Sequence, residues 1–485
     1  MRGNPDYLSR HAGQHLLQMI VNLLARQYEV IMQIILEIPE IPTLPNIFPE
    51  PFIVSDQLRS QILGFAKAIS GGEIAISAST DTAITPDCIV YIGAFDPSKS
   101  AVFCISAVAD GWRFDCATHR PTQETEGTDS NPFGPYIAAC YAAGTIFKYF
   151  WQLDAKIDLC ASLWNCVEAQ WDDLAVGKSP LQLTLPTTYL IGCGAVGAAF
   201  AFTLATIEGV KGEIVAIDPQ PSDETSRNRL LTISYADLEN KATLIERLFV
   251  GKALSVYPYV GLWPNYTTDA NRKTPERIRK IEKDFRYEWV ISCVDRNIHR
   301  RDIAVYLPRF VFGGSTHDFV AQVAVYSMQG ECECLGCNHP VPMIPATEEL
   351  RISLLAMNSQ ELNNWFDKHD VNARERAAIG EYLHDPGCGG VGQELVAKLG
   401  RGGETDWSVG FVSVAAGVLL AAVFLQALFQ EPQAMIRMGP EYFAWFLRSG
   451  LGTSHALRKS ICEICGSDIM QDNYQGLWGM QPKDK

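Results

Sequence analysis

The sequence has no excess of basic residues. Of its 485 residues, 40 are Lys or Arg and 55 are Asp or Glu, which gives a formal net charge of -15. Binding to nucleic acid requires a surplus of cations that can displace counterions from phosphates, so we expect no nucleic-acid partner. A hydrophobic content of 47% with 20% charged residues is typical of a globular protein. The length predicts about two or three domains.

The sequence also lacks a recognisable secretion signal, because Arg26 and Glu37 interrupt the apolar positions near its start. We therefore expect a cytoplasmic protein whose 14 cysteines are reduced and available to metal. One uncharged run, residues 407–430, is long enough to span a bilayer. It has neither a second span nor a flanking basic cluster, and a helix buried against a sheet has the same composition. We predict a buried helix and no membrane partner.

Residues 188–218 predict a strand, a tight turn, a helix and a second strand. Gly192, Gly194 and Gly197 match the pattern G-x-G-x-x-G. The first glycine permits the turn, the second lets a phosphate approach the backbone, and the third lets the helix pack on the strand. Asp218 ends the second strand, at the spacing where a carboxylate binds ribose hydroxyls. The stretch therefore predicts nucleotide binding at a helix N-terminus.

Strand and helix patterns alternate around this motif and predict an α/β fold with a doubly wound, Rossmann-like parallel sheet, which binds its ligand at the carboxyl ends of the strands. The strands are expected at residues 188–191, 213–217, 289–293, 310–313 and 322–327, with helices between them. The first half predicts a helical segment to residue 37 and then a second α/β pattern, which is either a degenerate copy of the nucleotide domain or an unrelated cap. The expected domains are residues 1–185, 186–337, 338–405 (a helical, polar insertion) and 406–485.

Three charged residues beyond Asp218 favour ATP over NAD. Arg229 can form two parallel hydrogen bonds with phosphate oxygens, and Lys241 can place a point charge on them. Asp295, at the end of a predicted strand, can bind a magnesium ion or orient a substrate carboxylate. Cations such as Arg229 and Lys241 are needed for the release of pyrophosphate, because negative charge moves onto this leaving group.

Two pairs of cysteines have the C-x-x-C spacing of zinc knuckles. Cys334 and Cys337 form the first pair, and Cys462 and Cys465 form the second. Together they predict one tetrahedral structural zinc, with Cys332 as an alternative ligand. Such a site would join the end of the chain to the nucleotide domain and close the insertion as a loop.

The motifs IGCGAVG, SRNR, the Lys241 segment, SCVD with Arg301 behind it, and the two cysteine pairs occur in an order that resembles the ThiF/MoeB and ubiquitin-activating adenylyltransferases. The resemblance covers residues 186–337, 407–430 and 462–465. Ser226 and Val294 depart from the family's usual Asn and Thr. The resemblance implies ATP on Gly192, Gly194, Gly197 and Asp218, the triphosphate on Asn228, Arg229 and Lys241, and magnesium with the acyl-adenylate at Asp295.

The resemblance also implies a reaction. The enzyme would adenylate the C-terminal carboxyl of a ubiquitin-like protein with a glycine tail, take it as a thioester and pass it to a conjugating enzyme. Cys388, in DPGCGGVG between the cysteine pairs, lies where ubiquitin-activating members carry their catalytic cysteine, and its glycine neighbours would expose the sulfur. Gly389 departs from the Thr that often follows. An inactive first half before an active second half is the layout of bacterial activating enzymes for ubiquitin-like proteins.

Several alternatives stay open. ThiF and MoeB pair two identical subunits, which leaves a homodimer as an expectation. An activator of a sulfur-carrier protein needs the same adenylation but no conjugating enzyme, although the 338–405 insertion favours conjugation. A catalytically dead scaffold could bind a ubiquitin-like tail, and an NAD oxidoreductase could use the same glycine motif.

Overall fold

The apolar segments of the chain form two main sheets. The computed structural model describes residues 1–28, 30–78, 85–329, 332–337, 339, 346–384, 395–396, 409–430 and 440–479. The strands are β1 (Arg2–Gly3), β2 (Gln33–Ile35), β3 (Ala75–Ser77), β4 (Ile89–Ile92), β5 (Cys104–Asp110), β6 (Arg113–Ala117), β7 (Asp158–Ser162), β8 (Val167–Glu168), β9 (Thr188–Ile191), β10 (Gly212–Ile217), β11 (Leu254–Tyr259), β12 (Trp289–Ser292), β13 (Phe310–His317), β14 (Val320–Tyr326), β15 (Pro440–Trp445) and β16 (Gly450–His455). The helices are α1 (Pro5–Leu8), α2 (His11–Leu24), α3 (Leu58–Ser70), α4 (Phe133–Phe150), α5 (Ala195–Ala205), α6 (Lys241–Arg247), α7 (Trp263–Thr268), α8 (Glu276–Glu282), α9 (Asn297–Ala304), α10 (Ala346–Ala356), α11 (Ser359–Lys368), α12 (Ala373–His384), α13 (Gly410–Phe429) and α14 (Asp468–Trp478).

The chain divides into two compact units. The first comprises Met1–His339 and Ser408–Lys485, and the second is Pro340–Trp407. The second unit contains α10, α11 and α12 around a small apolar cluster that includes Leu354 and Ile379. The N-terminus of α11 is closed by a capping box in which Asn358 and Glu361 bond each other's backbone amides.

The larger sheet confirms the predicted fold class. Its strand order is β11-β10-β9-β12-β13-β14-β15-β16, and the strands from β11 to β13 are parallel. β9 lies between β10 and β12, so the chain leaves β9 at the point where the strand order reverses. Sheets of this kind bind ligands at that point.

The prediction of helices between all the strands of this sheet is wrong at its far side. β13 and β14 form an antiparallel hairpin that pairs His317 with Val320, and β15 and β16 extend the sheet in the same antiparallel manner. Only Asp318 and Phe319 separate β13 from β14, and Asp318 takes the left-handed conformation with φ 48°. A two-residue connection can join antiparallel strands, whereas parallel strands need a crossover of a dozen or more residues.

The smaller sheet belongs to the first half and has the order β1-β4-β5-β6-β7-β8. β1, β4 and β5 are parallel, and the remaining pairs are antiparallel. The predicted helical segment to residue 37 is too long, because α2 ends at Leu24 and β2 pairs with β3. Ile34 and Ile35 are β-branched and favour an extended backbone, which explains this error.

The uncharged run forms α13, and the buried-helix prediction is confirmed. By length and composition α13 could cross a membrane, with a mean hydropathy of 2.3, but 94% of its most apolar window is buried inside the protein. It packs directly on α5. A Cβ atom added to Gly417 would lie 2.5 Å from the Ala199 Cβ and from the Val196 carbonyl oxygen, so only glycine permits this approach.

The first half shares its core with the part of the chain that forms the larger sheet. The largest apolar cluster includes residues from α2 and α4 as well as from α5 and α13. Polar contacts also cross between the halves. The Gln426 amide nitrogen donates to the Leu163 carbonyl at 2.7 Å, and the Leu451 amide donates to a Glu168 carboxylate oxygen at 2.7 Å.

His15 on α2 predicts acid sensitivity. It is fully buried, burial lowers its pKa from 6.5 to about 3, and nearby His11 acts in the same direction. Neutral His15 therefore makes its full contribution to the free energy of unfolding above pH 6.5. This contribution is lost as the pH falls from 6.5 toward 3. The free energy of unfolding should fall by about 2 kcal/mol between pH 7 and pH 5, and His15→Phe should remove this fall. Urea unfolding at both pH values tests this, with the exposed His119→Phe as control. If the free energy of unfolding of His15→Phe fell between pH 7 and pH 5 as much as that of the wild type, the prediction would be contradicted.

Candidate nucleotide-binding site

The glycine motif forms the turn between β9 and α5. Gly192 has φ 89°, and its amide donates to the Ile217 carbonyl at 2.9 Å. A Cβ at Gly197 would lie 2.1 Å from the Gly192 carbonyl oxygen, so the first turn of α5 packs directly on the loop. A Cβ at Gly194, the N-cap of α5, would meet no described atom within 4 Å. The space beside Gly194 is therefore open at the N-terminus of an 11-residue helix, where an anion is favoured.

Asp218 holds this loop from the end of β10. One carboxylate oxygen accepts a hydrogen bond from the Cys193 amide at 2.7 Å, and the other accepts one from the Gln220 amide at 2.8 Å. Each oxygen retains a second lone pair that a ribose hydroxyl could use. Asp218 is 6% exposed. It therefore connects the glycine loop to β10 and still offers acceptors at the edge of the sheet.

Lys241 and Asp295 lie near Asp218. Burial raises the pKa of Asp218, and the charge of Lys241 acts against this rise while that of Asp295 adds to it. Lys241 is the first residue of α6, and its Nζ donates to the Gln220 side-chain oxygen at 3.0 Å. Asp295 follows β12 and is exposed. The structure thus brings one cation and two carboxylates together at the carboxyl ends of β10 and β12.

Arg229 lies in the turn that follows β10. Its Nη1 donates to the Thr225 carbonyl at 2.7 Å and to the Asn228 side-chain oxygen at 3.0 Å. Burial lowers the pKa of Arg229, and the carboxylate of Asp223 acts in the opposite direction. Ser226, one of the two positions that depart from the resembled adenylyltransferases, donates its hydroxyl to Asp223 at 2.8 Å. The serine therefore stabilises the turn itself.

Asn228 and Arg229 also contact the start of α13. A Cβ added to Gly410 would lie 2.5 Å from the Asn228 carbonyl oxygen. Both residues are half-buried. The predicted triphosphate residues of this turn are thus enclosed by α13 on one side.

Sequence reasoning missed Arg26, which reaches the same turn from the first half. Its Nη1 donates to the Arg227 carbonyl at 2.9 Å, and its Nη2 donates to the Ile233 carbonyl at 2.8 Å. In the sequence, Arg26 is visible only as a charge that interrupts an apolar run. Its partners are more than 200 residues away, so local spacing could not identify them.

Arg300 rather than Arg301 is the arginine of α9 that lies near Asp295. Burial lowers the pKa of Arg300, and the charge of Asp295 is among those that act against this. Its Nη1 lies 3.1 Å from His339 Nδ1. Arg301, which the sequence motif singles out, forms an ion pair with Glu463 between the last two cysteines.

The four predicted knuckle cysteines come together. The sulfur atoms of Cys334, Cys337, Cys462 and Cys465 all lie within 4.8 Å of one another. Three of their separations are 3.9 Å (Cys334 to Cys337), 3.7 Å (Cys334 to Cys462) and 3.2 Å (Cys337 to Cys465). The alternative ligand Cys332 is buried nearby and is not part of this group. The donor set and its size fit one tetrahedral metal ion.

The predicted nucleophile Cys388 lies outside the described residues, as do the residues on either side of it. Its predicted role stays an expectation from the sequence. The helix that precedes it, α12, ends at His384.

Comparisons with known proteins give distant similarities. A family model described as the BilD N-terminal domain matches residues 4–157. The uncharacterized protein y4jF of Sinorhizobium fredii (strain NBRC 101917 / NGR234) is 24% identical over 453 residues, which are 84% of this chain and 78% of that protein. Among solved structures, E. coli MccB with ATP has 17% identity and a TM-score of 0.37 over 59% of this chain and 68% of its own. PaaA has 13% identity and a TM-score of 0.31 over 56% and 72%. These similarities are too low to assign an activity, so the function has to be argued from the chain's own residues.

Proposed function

We propose that this chain binds ATP and magnesium and adenylates the C-terminal carboxyl of a ubiquitin-like protein with a glycine tail. The observation that carries the proposal is that Lys241 and Asp295 both act on Asp218, whose carboxylate accepts a hydrogen bond from the Cys193 amide next to the open side of Gly194. A parallel sheet binds its ligand at this edge. Arg229 adds a guanidinium that has no carboxylate within ion-pair distance in the described part of the chain, so it is available to a phosphate.

In the proposed reaction, a substrate carboxylate oxygen attacks the α-phosphorus of ATP, and the bond from that phosphorus to pyrophosphate breaks. AMP stays on the acyl group, and pyrophosphate leaves with additional negative charge. Lys241 and Arg229 stabilise this charge, and Asp218 binds the ribose through its free lone pairs. Asp295 would hold magnesium, which when bound offsets the charge of the phosphates.

The second proposed step requires Cys388. Its thiolate attacks the acyl carbon of the adenylate, AMP leaves, and the resulting thioester passes to a cysteine of a conjugating enzyme. The position of Cys388 between the cysteine pairs and its glycine neighbours support this step. We place the protein in the cytoplasm, where such a thiol stays reduced.

We also propose that the four knuckle cysteines bind one structural zinc. With Zn–S bonds of about 2.3 Å, a tetrahedral ion separates its sulfur ligands by about 3.8 Å. The separations of 3.2 to 3.9 Å support this assignment. The zinc would connect the segment after β14 to the segment after β16.

ATP–pyrophosphate exchange in the presence of candidate ubiquitin-like proteins tests the adenylation step. Arg229→Ala and Asp295→Ala should each lower the exchange rate by about 100-fold or more, because each removes a group that acts on the phosphates. Arg247→Ala is the matched control. It lies at the opposite end of α6 from Lys241 and forms surface ion pairs with Asp237 and Glu239, so exchange should be retained. Absence of exchange in the wild-type chain would favour a scaffold that only binds a tail. Exchange that is unaffected by both site variants would contradict the assignment of Arg229 and Asp295 to the phosphate site.

The same mixture separates conjugation from the alternatives. A reducible adduct with the ubiquitin-like protein that is lost in Cys388→Ala would support the thioester step. Exchange without an adduct would favour an activator of a sulfur-carrier protein, which shares the first step. Protection of the chain against unfolding by NAD, but not by ATP, would instead favour an oxidoreductase.

A further inference from the structure

The first half of the chain forms hydrogen bonds with the turn that carries Arg229. Arg26 lies just beyond α2 and is 2% exposed. Besides its bonds to the Arg227 and Ile233 carbonyls, its Nε donates to the Asn22 side-chain oxygen at 2.9 Å. The two carbonyls flank Asn228 and Arg229 in the sequence, so one guanidinium fixes the backbone on both sides of them.

Arg26 carries a buried positive charge. No carboxylate lies within ion-pair distance of its guanidinium in the part of the chain that the structure describes, and its acceptors are neutral oxygens. Burial lowers its pKa to about 9, so the group stays protonated at neutral pH. A buried charge is costly when it is not paired. An anion bound at the adjacent turn would supply the missing negative charge.

A second contact from the first half holds the same turn. The Tyr235 amide donates to the Ala68 carbonyl at 2.9 Å. Its ring covers Gly71, where an added Cβ would lie 2.1 Å from the ring. The guanidinium of Arg227 lies 4.0 Å from the centre of the same ring. The segment from residue 227 to residue 235 is therefore fixed to α2 and to the end of α3.

We propose that Arg26 is a positioning residue of the phosphate site. It fixes the backbone of residues 227–233, directs Asn228 and Arg229 toward the triphosphate and adds its own charge to the positive potential there. This inference rests on the proposed function, and it gives the first half a part in ATP binding. The active half would then be incomplete without α2.

Binding of ATP and of adenosine to the full-length chain tests this inference, at a temperature where every variant is folded. Arg26→Met keeps most of the aliphatic side chain and removes the hydrogen-bond donors. The dissociation constant of ATP should rise about tenfold or more, since charge-assisted hydrogen bonds are lost. That of adenosine, which has no phosphate, should change less than about twofold. In Arg26→Gly, millimolar guanidinium should restore part of the ATP affinity.

Arg113→Met is the matched control. Arg113 is another largely buried arginine of the first half; its guanidinium lies 3.6 Å from the Asp110 carboxylate and 4.6 Å from the centre of the Trp171 ring. It has no hydrogen bond to residues 227–233 among the described contacts. This variant should lose thermal stability and keep the wild-type preference for ATP over adenosine.

Two results would overturn the inference. Arg26→Met could retain the wild-type ratio of ATP to adenosine affinity while Arg229→Ala loses it, which would leave the proposed function intact and remove Arg26 from the site. Arg26→Met could also weaken both ligands equally, as a purely structural residue would. A wild-type chain that binds ATP no better than adenosine would overturn the proposed function as well.

Discussion

Replacing Cys465 by alanine should abolish binding of the proposed zinc and destabilise the first unit of the protein. Three sulfur ligands cannot complete the tetrahedron that the four cysteines form. Structural zinc contributes on the order of 10 kcal/mol in zinc-finger peptides. Apolar neighbours such as Ile464 and Tyr474 keep part of this region packed, so we expect a loss of about 3–5 kcal/mol. Elemental analysis gives the zinc content, and thermal unfolding gives the stability.

Cys332→Ala is the matched control for this experiment. Cys332 is equally buried and lies two residues before the first knuckle cysteine, but it is outside the four-sulfur group. This variant should keep one zinc per chain and lose about 1 kcal/mol from the truncated side chain. Equal loss of zinc from both variants would make Cys332 a ligand and contradict the assignment of the group.

Gly197→Ala should strongly weaken ATP binding although it adds only one methyl group. That methyl would lie 2.1 Å from the Gly192 carbonyl oxygen, and both atoms belong to rigid elements. Because no flexible side chain can move away, either α5 or the glycine turn has to shift. We expect a loss of about 3 kcal/mol in the free energy of unfolding and a decrease in ATP affinity of about 100-fold or more. Calorimetric titration and urea unfolding measure the two effects.

Two other glycines separate the structural effect from the ligand effect. Gly476 in α14 and Gly194 at the start of α5 both have open space where a Cβ would lie. Gly476→Ala should leave binding unchanged and stabilise its helix by up to about 1 kcal/mol. Gly194→Ala should leave stability unchanged but weaken ATP, because its methyl group would project where a phosphate approaches the backbone. Wild-type ATP affinity in both Gly194→Ala and Gly197→Ala would exclude this loop as the phosphate site.

The sequence predicts the centre of the fold better than its edges. β9 and β10 contain the apolar runs 189–191 and 214–217, and the glycine turn and α5 connect them. This pattern depends only on neighbouring residues. β11 contains Pro258, and β16 contains Gly450 and Gly452; these residues weaken a strand pattern. Both strands form because the sheet beside them provides partners, which the local sequence does not reveal.

The same distinction applies to the candidate site. The glycine loop and the cysteine pairs follow from short spacings, so the sequence alone is enough to predict them. Arg26 contacts the carbonyl of Arg227, 201 residues further along the chain, only after α2 has packed beside that turn. Arg300 and Arg301 are neighbours, and only the direction that each takes from α9 shows which one lies near Asp295.

The late position of β15 in the chain has a consequence for synthesis. β14 is complete at residue 326 and can pair with β13 at once, but its second antiparallel partner, β15, begins at residue 440. At about 5–20 residues per second, a ribosome needs roughly 6 to 23 seconds to make the intervening chain. During that interval the nascent polypeptide carries an apolar strand with a free row of amides and carbonyls, which is an aggregation hazard. Slow translation or low chaperone capacity should therefore lower the yield of this protein more than that of a chain whose strands emerge in sheet order.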